Sequence, residues 1–219
     1  MKIIEQSHEI LAMTKDPLQL IEKAGRTCYK SEDKITAGSA EKFVKMIVGI
    51  GHETVIEHGN ATVRFITNRG VTHELVRHRL SSFSQESTRY VEYDNMEFIK
   101  PVWCTPEIIG EFPKRISIDR VVSVEEQCFC FSLLDAEYRY KELLNGNWKP
   151  EQAREVLPNA LKTEIVHTCN FREWRHVLNL RCSTKAHPQI RALMLPLLKE
   201  FSEEVPVIFD DLKEKYLKE

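Results

Sequence analysis

From Phe129 onward, apolar residues fall at Phe129, Leu133, Ala136, Tyr140 and Leu143, the i, i+4, i+7, i+11, i+14 repeat of one helix face. Ser123 with Glu126 three positions later forms a capping box ahead of that run, and Asn145-Gly146 closes it, which predicts the longest helix of the chain. Asp16 before Pro17 predicts an N-cap with proline at the first helical position, and Leu18, Ile21, Gly25 and Cys28 then share a face. A second helix is expected over residues 40–48. Asn170 with Glu173 caps another, whose Phe171, Trp174 and Leu178 form an apolar face opposite Arg172 and His176. A long helix over residues 188–200 and one near the C-terminus carry Ile190, Leu193, Met194, Leu197 and Leu198 as core.

Alternation marks one strand and β-branched composition another. Residues 61–67, ATVRFIT, place Ala61, Val63 and Phe65 on one side and Thr62, Arg64 and Ile66 on a wetter one. Residues 160–168, ALKTEIVHT, are rich in β-branched side chains and also predict a strand. Between them, Asn68-Arg69-Gly70 ends the first strand, and VTHELVRHRL predicts a helix that puts Glu74, Arg77 and His78 within one turn of each other. Pro150 opens a short helix containing Arg154, which Pro158 breaks. No repeat, low-complexity tract or linker divides the chain, so residues 1–219 are expected to form a single domain.

Composition narrows this picture only a little. The 219 residues are 42% apolar and 29% charged, ordinary for a globular protein, and no apolar run reaches the ~18 residues of a membrane span. MKIIEQSHEILAM lacks the uninterrupted apolar core of a secretory signal, so a cytoplasmic location is expected. A formal net charge of -2 argues against a general nucleic-acid binder, and any anion site must be local. The six cysteines form no CxxC pair and are read as buried free thiols.

The candidate chemistry concentrates in RHRLSSFSQESTRY, residues 77–90, with three arginines and five serine or threonine hydroxyls. Guanidinium is planar, permanently charged and bidentate toward phosphate, and the small hydroxyls suit sugar or nucleobase edges. On a helix, residues 77 and 79 point about 200° apart, so they would serve different anions. An exposed basic helix end with serines in a turn would account for the same residues by themselves.

The arrangement Arg77-His78-Arg79, then seven residues to Ser87 and Arg89, resembles the signature of the flavin-dependent thymidylate synthases. GHETVIEH (51–58), AREVLP (153–158) and NFREWRHVLNLR (170–181) resemble further segments of that family, in the family's order and across most of the chain. The resemblance implies a mixed α/β fold, a β-sheet flanked by helices, in a homotetramer with FAD where subunits meet. It implies methylation of dUMP to dTMP, with the methylene from 5,10-methylenetetrahydrofolate and reducing equivalents from NADPH, and neither nucleic acid nor membrane as partner.

Residue by residue, it implies that Arg77, His78 and Arg79 contact FAD together with Thr54, Asn170, Arg172 and His176, and that Gln85 bridges flavin and substrate. The dUMP pocket would take Glu74, Arg77, Gln85, Glu86, Ser87, Thr88, Arg89, Arg154 and Arg181. Arg181 is expected to carry the chemistry, its guanidinium against the uracil edge favouring an ionised N3. Ser87 ends the signature but has no identifiable base, so a binding role is expected of it. No metal is expected: His52 and His58 in HETVIEH are six apart, about 240° around a helix, and cannot share one ion from one face. The run Lys185-Ala186-His187-Pro188-Gln189-Ile190 departs from the family's pattern after Arg181, and Glu74 replaces a glutamine of some relatives.

Overall fold

The computed structural model describes residues 1–112 and 123–218. Its strands are β1 (Lys2–Ile4), β2 (Ser7–Met13), β3 (Asn60–Asn68), β4 (Ser82–Gln85), β5 (Glu97–Ile99), β6 (Gly110–Glu111) and β7 (Lys162–Asn170). Its helices are α1 (Pro17–Cys28), α2 (Ser39–Gly49), α3 (Arg69–Leu75), α4 (Val124–Asn145), α5 (Pro150–Ala153), α6 (Phe171–Arg181), α7 (Pro188–Glu204) and α8 (Asp210–Tyr216). The fold is mixed α/β. One sheet has the order β5-β1-β6 and a second β2-β3-β7-β4. The chain divides into two compact units, the first Met1–Ser7, Phe65–Arg77 and Ser84–Ile165, the second His8–Arg64, His78–Phe83 and Val166–Glu219.

In the first unit β1 pairs in parallel with β5, Ile3 opposite Phe98, and antiparallel with β6. Ile3, Met96, Phe98, Leu133, Tyr140 and Leu161 fill its core. α4 begins at the expected capping box: Ser123 Oγ accepts from the Glu126 N–H at 3.2 Å, and Glu126 Oε2 accepts from the Ser123 N–H at 2.9 Å. Its most buried positions are Glu126, Cys130, Leu133, Glu137 and Tyr140, so the face is turned slightly from the expected one and leaves Phe129 and Ala136 only half-buried. Glu137 is tolerated there because its carboxylate accepts from the Met96 N–H at 3.2 Å and from Lys141 at 3.0 Å.

In the second unit α1 and α2 pack through Ile21, Phe43, Val44 and Ile47. α6, α7 and α8 close over Phe171, Trp174, Phe201 and Phe209, all fully buried, with ring centroids 5.1 to 5.8 Å apart between neighbours. Asn170 caps α6 as expected, accepting from the Glu173 N–H at 2.9 Å. Gly59 is needed for space, since a Cβ there would lie 2.3 Å from the Phe171 ring. Trp174 and Phe171 are thus core, as their apolar helix face predicts.

Several local expectations are corrected. The helix expected over residues 71–80 begins at Arg69 and ends at Leu75, so Arg77, His78 and Arg79 are not helical, and the 200° argument about them lapses. Asn68 does not merely end a strand: its Oδ1 caps α3 by accepting from the Val71 N–H at 2.8 Å. Within the signature run, Ser82–Gln85 form β4, an element the sequence does not predict. Asp16 makes no side-chain cap and has a left-handed backbone (φ 48°). Cys28 and Cys128 are exposed, while Cys104, Cys130, Cys169 and Cys182 are buried. Strands β1, β2, β5 and β6 were not foreseen.

Candidate active site

In the first unit the signature loop is held from behind. Gln85 Nε2 donates to Thr72 Oγ1 at 3.0 Å and to Thr163 Oγ1 at 3.3 Å, both threonines being fully buried. Glu86 is gripped on three sides: its carboxylate accepts from Tyr93 Oη at 2.6 Å and from Lys162 Nζ at 3.4 Å, and its carbonyl accepts from Arg69 Nη2 at 3.0 Å. Burial and the Glu86 carboxylate push the Tyr93 phenol far above its usual range, so it remains a donor. Burial opposes the charge of Lys162, but Glu164, 2.7 Å away, and Glu86 raise its pKa and keep it protonated.

Beyond Glu86 the chain turns. Ser87 Oγ accepts from the Arg89 N–H at 3.2 Å, and the Ser87 carbonyl accepts from Val91. This gives Ser87 a turn-forming role. The guanidinium of Arg154, in the 3-10 turn after α5, reaches buried Thr88 Oγ1 at 3.4 Å, and Arg89 lies 3.6 Å from Glu151 at the start of α5. Residues 87–89 and 151–154 therefore converge, with two arginines that remain 55% and 40% exposed. Glu74 lies in the last turn of α3, and Arg77 just past it is exposed.

The second unit contains a cavity of about 860 Å³ lined by Glu53, Glu57, Asn170, Arg172, Glu173, Arg175 and His176 among others. Arg172 donates to Glu57 at 2.6 Å and lies 3.9 Å from Glu53. Arg175 forks onto Asp211 at 2.7 and 2.8 Å, donates to Glu53 at 3.1 Å and also bonds the Ile208 carbonyl. Three of the positions expected to meet flavin, Asn170, Arg172 and His176, thus line one cavity. Thr54, exposed in the 3-10 turn Glu53–His58, and Arg79, exposed after His78, do not line it. The lining offers amide, imidazole and guanidinium donors and is large enough for part of a dinucleotide, which fits FAD, but Arg172 must release a carboxylate to take a phosphate.

His78 is buried at the edge of this arrangement. Its Nε2 accepts from Arg181 Nε at 3.1 Å and its Nδ1 lies 3.6 Å from Glu173 Oε1. Burial first, then Arg181 and His176, lower its pKa to about 4, so it is neutral. His167 on β7 is lowered to about 3 by burial and by His78; it is stacked between Phe83 and Trp174 at 4.5 and 4.4 Å and shares a hydrogen bond with Ser81 Oγ at 2.9 Å. His78, Glu173 and His176 bring ligand atoms within 4.8 Å of one another. A dication there would displace the Nδ1 proton and sit close to the Arg181 charge, which opposes it electrostatically.

Sequence reasoning missed Arg69, Thr72, Tyr93, Lys162, Thr163, His167 and Glu173. Lys162 and Glu164 are two apart on one strand face and could have been paired from that spacing. Nothing local signals Tyr93.

The family model described as "Thymidylate synthase complementing protein" matches residues 9–207. The chain is 37% identical over 213 residues to a flavin-dependent thymidylate synthase of Corynebacterium efficiens, covering 89% of this chain and 79% of that protein. It is 34% identical over 209 residues to one of Geobacter sulfurreducens, covering 92% and 84%. Among solved structures, a UMP/dUMP methylase, PolB, from Streptomyces cacaoi, bound with 5-Br dUMP, superposes with a TM-score of 0.77 at 22% identity over 96% of both chains, which shows a shared fold. With the match running over residues 9–207, through the Arg77–Ser87 signature and the three further segments, the chain belongs to the thymidylate synthase complementing protein family, the family of the flavin-dependent thymidylate synthases.

Proposed function

We propose that this chain is a flavin-dependent thymidylate synthase that methylates dUMP to dTMP, taking its methylene from 5,10-methylenetetrahydrofolate and its reducing equivalents from NADPH. The single observation that carries the reading is the family match over residues 9–207, which contains the complete Arg77-His78-Arg79…Ser87 signature. No helix among the described residues is long and apolar enough to cross a membrane. The reading further places the protein in the cytoplasm, as a single-domain subunit of a homotetramer with active sites at subunit interfaces.

When bound, FAD supplies hydride transfer from NADPH to the one-carbon unit. His78, Arg79, Asn170, Arg172, His176 and Thr54 would hold it, with Arg77 and Gln85 shared with substrate. Arg89 and Arg154 would meet the dUMP phosphate, supported by Thr88 and the Ser87 turn, which already brings their segments together. Glu86 keeps that loop in register through Tyr93 and Lys162, and Gln85 is aimed by Thr72 and Thr163. Arg181 would lie against the uracil edge and stabilise negative charge on N3 as the ring is activated. Glu74 would add an acceptor to the same pocket.

Tritium release from 5-tritiated dUMP with folate, NADPH and flavin-loaded enzyme tests the reaction directly. Release with matching dTMP is expected; bound flavin without release would instead mark a different flavin oxidoreductase. Arg181→Ala is expected to abolish dTMP formation while leaving FAD bound, and Arg79→Ala to weaken FAD. Unchanged turnover or unchanged flavin affinity, respectively, would remove those assignments.

A further inference from the structure

Glu173 and Arg181 lie at opposite ends of α6, about 12 Å apart along its axis, too far to touch directly. One imidazole joins them. Arg181 Nε can only donate, so His78 Nε2, 3.1 Å away, must present its lone pair, and the neutral ring must keep its proton on Nδ1. Nδ1 faces Glu173 Oε1 at 3.6 Å, long for a hydrogen bond but close enough for the carboxylate to favour a proton on that nitrogen. His78 and Glu173 are 5% and 7% exposed, so water competes little with this arrangement.

We propose that Glu173 is a positioning residue for Arg181: its carboxylate sets His78 as the Nδ1–H tautomer, whose Nε2 then holds the Arg181 guanidinium by one edge in the orientation that meets the pyrimidine. The proposal rests on the reading of Arg181 as the residue at the uracil edge. Of the groups facing the ring, burial first, then Arg181 and His176 on α6, disfavour a second proton, and neighbouring His167 on β7 is itself lowered; only the Glu173 carboxylate pulls toward an imidazolium, and burial pushes that carboxyl up. A lysine is a poor replacement here, because the planar guanidinium gives its Nε–H to His78 and presents its terminal N–H groups to a ligand in one fixed plane, which a flexible ammonium does not.

The test uses full-length, flavin-loaded enzyme labelled with 15N-histidine, as wild type and as Glu173→Gln. Long-range 1H–15N correlation of His78 is expected to show the Nδ1–H tautomer in wild type and a shift toward Nε2–H in the variant. The variant, assayed at saturating FAD, is expected to lose about 10- to 100-fold in kcat, the usual cost of removing an orienting partner. An Nε2–H tautomer in wild type overturns the proposal even if the variant does not fold. So does a variant with unchanged turnover, or one that loses turnover while the His78 resonances stay put, which would be a structural effect. A wild type that shows Nδ1–H yet releases no tritium leaves the His78 geometry standing and sinks the functional reading on which the proposal depends.

Discussion

Acid should destabilise the second unit through two histidines before most carboxylates titrate. His78 is 5% and His167 0% exposed, and their pKa values fall from 6.5 to about 4 and about 3. A histidine whose folded pKa is depressed costs nothing above the unfolded value, where both states are neutral. As pH falls below 6.5 the unfolded chain takes up protons that the native state refuses, so stability drops until the folded pKa is reached. Near pH 5 each histidine gives a slope of about 1.4 kcal/mol per pH unit, and between pH 7.5 and 5 each should remove about 2 kcal/mol.

Urea unfolding at pH 7.5, 6 and 5, followed by fluorescence of fully buried Trp174 against which His167 is stacked, reads this directly. His167→Gln removes one titration while its amide can still reach Ser81. The substitution is expected to lower stability by a constant amount at pH 7.5 and to halve the loss between pH 7.5 and 5, a difference of about 2 kcal/mol. Parallel pH curves for wild type and variant, differing in slope by less than about 0.5 kcal/mol across the window, would refute the claim that His167 is held neutral. Asp211 does not confuse the outcome: its carboxyl lies below its usual range, because Arg175 overcomes the effect of burial, so it loses its contribution only at more acid pH.

Three further outcomes follow from packing and capping. Gly59→Ala would set a methyl 2.3 Å from the Phe171 ring, which is buried and edge-on to Phe209, so a loss of about 1–3 kcal/mol is expected in the same urea assay; an unchanged midpoint would mean that the ring can yield. Ser123→Ala removes one half of the α4 capping box and should cost about 1 kcal/mol, with an unchanged urea midpoint as the result that would contradict it. Under native conditions Cys28 and Cys128 should be alkylated first, as mapped by mass spectrometry. Burial pushes the Cys130 and Cys182 thiols up to about 11 and about 12, and rapid labelling at Cys182 would contradict its burial.

Helices with a side-chain cap were legible because the signal is local. Ser123 with Glu126 and Asn170 with Glu173 announce α4 and α6 within four residues, while β3 announces itself by alternation and β7 by its β-branched residues. VTHELVRHRL holds no glycine or proline that would stop a helix, so its end at Leu75 is set by tertiary demands and not by a local signal. The chain leaves the helix at Leu75, buries His78 between exposed Arg77 and Arg79, and extends so that the Glu86 N–H reaches the Glu164 carbonyl at 2.9 Å. Strands of two or three residues such as β1, β5 and β6 have no pattern long enough to read.

The arginines show the same division between local and distant information. Residue type identifies them as anion donors, but whether each is available depends on carboxylates far away in sequence. Arg172, read as a flavin contact, is met by Glu57 from 115 residues upstream, so anion binding there must first break a 2.6 Å ion pair. Arg77 and Arg79 are exposed and have no ion-pair partner among the described residues. A phosphate reaching either of them displaces only water. Of the arginines assigned to flavin, these two therefore bind an anion at the lowest electrostatic cost, and Arg172 is the one whose contribution should grow when Glu57 is neutralised, as in Glu57→Gln.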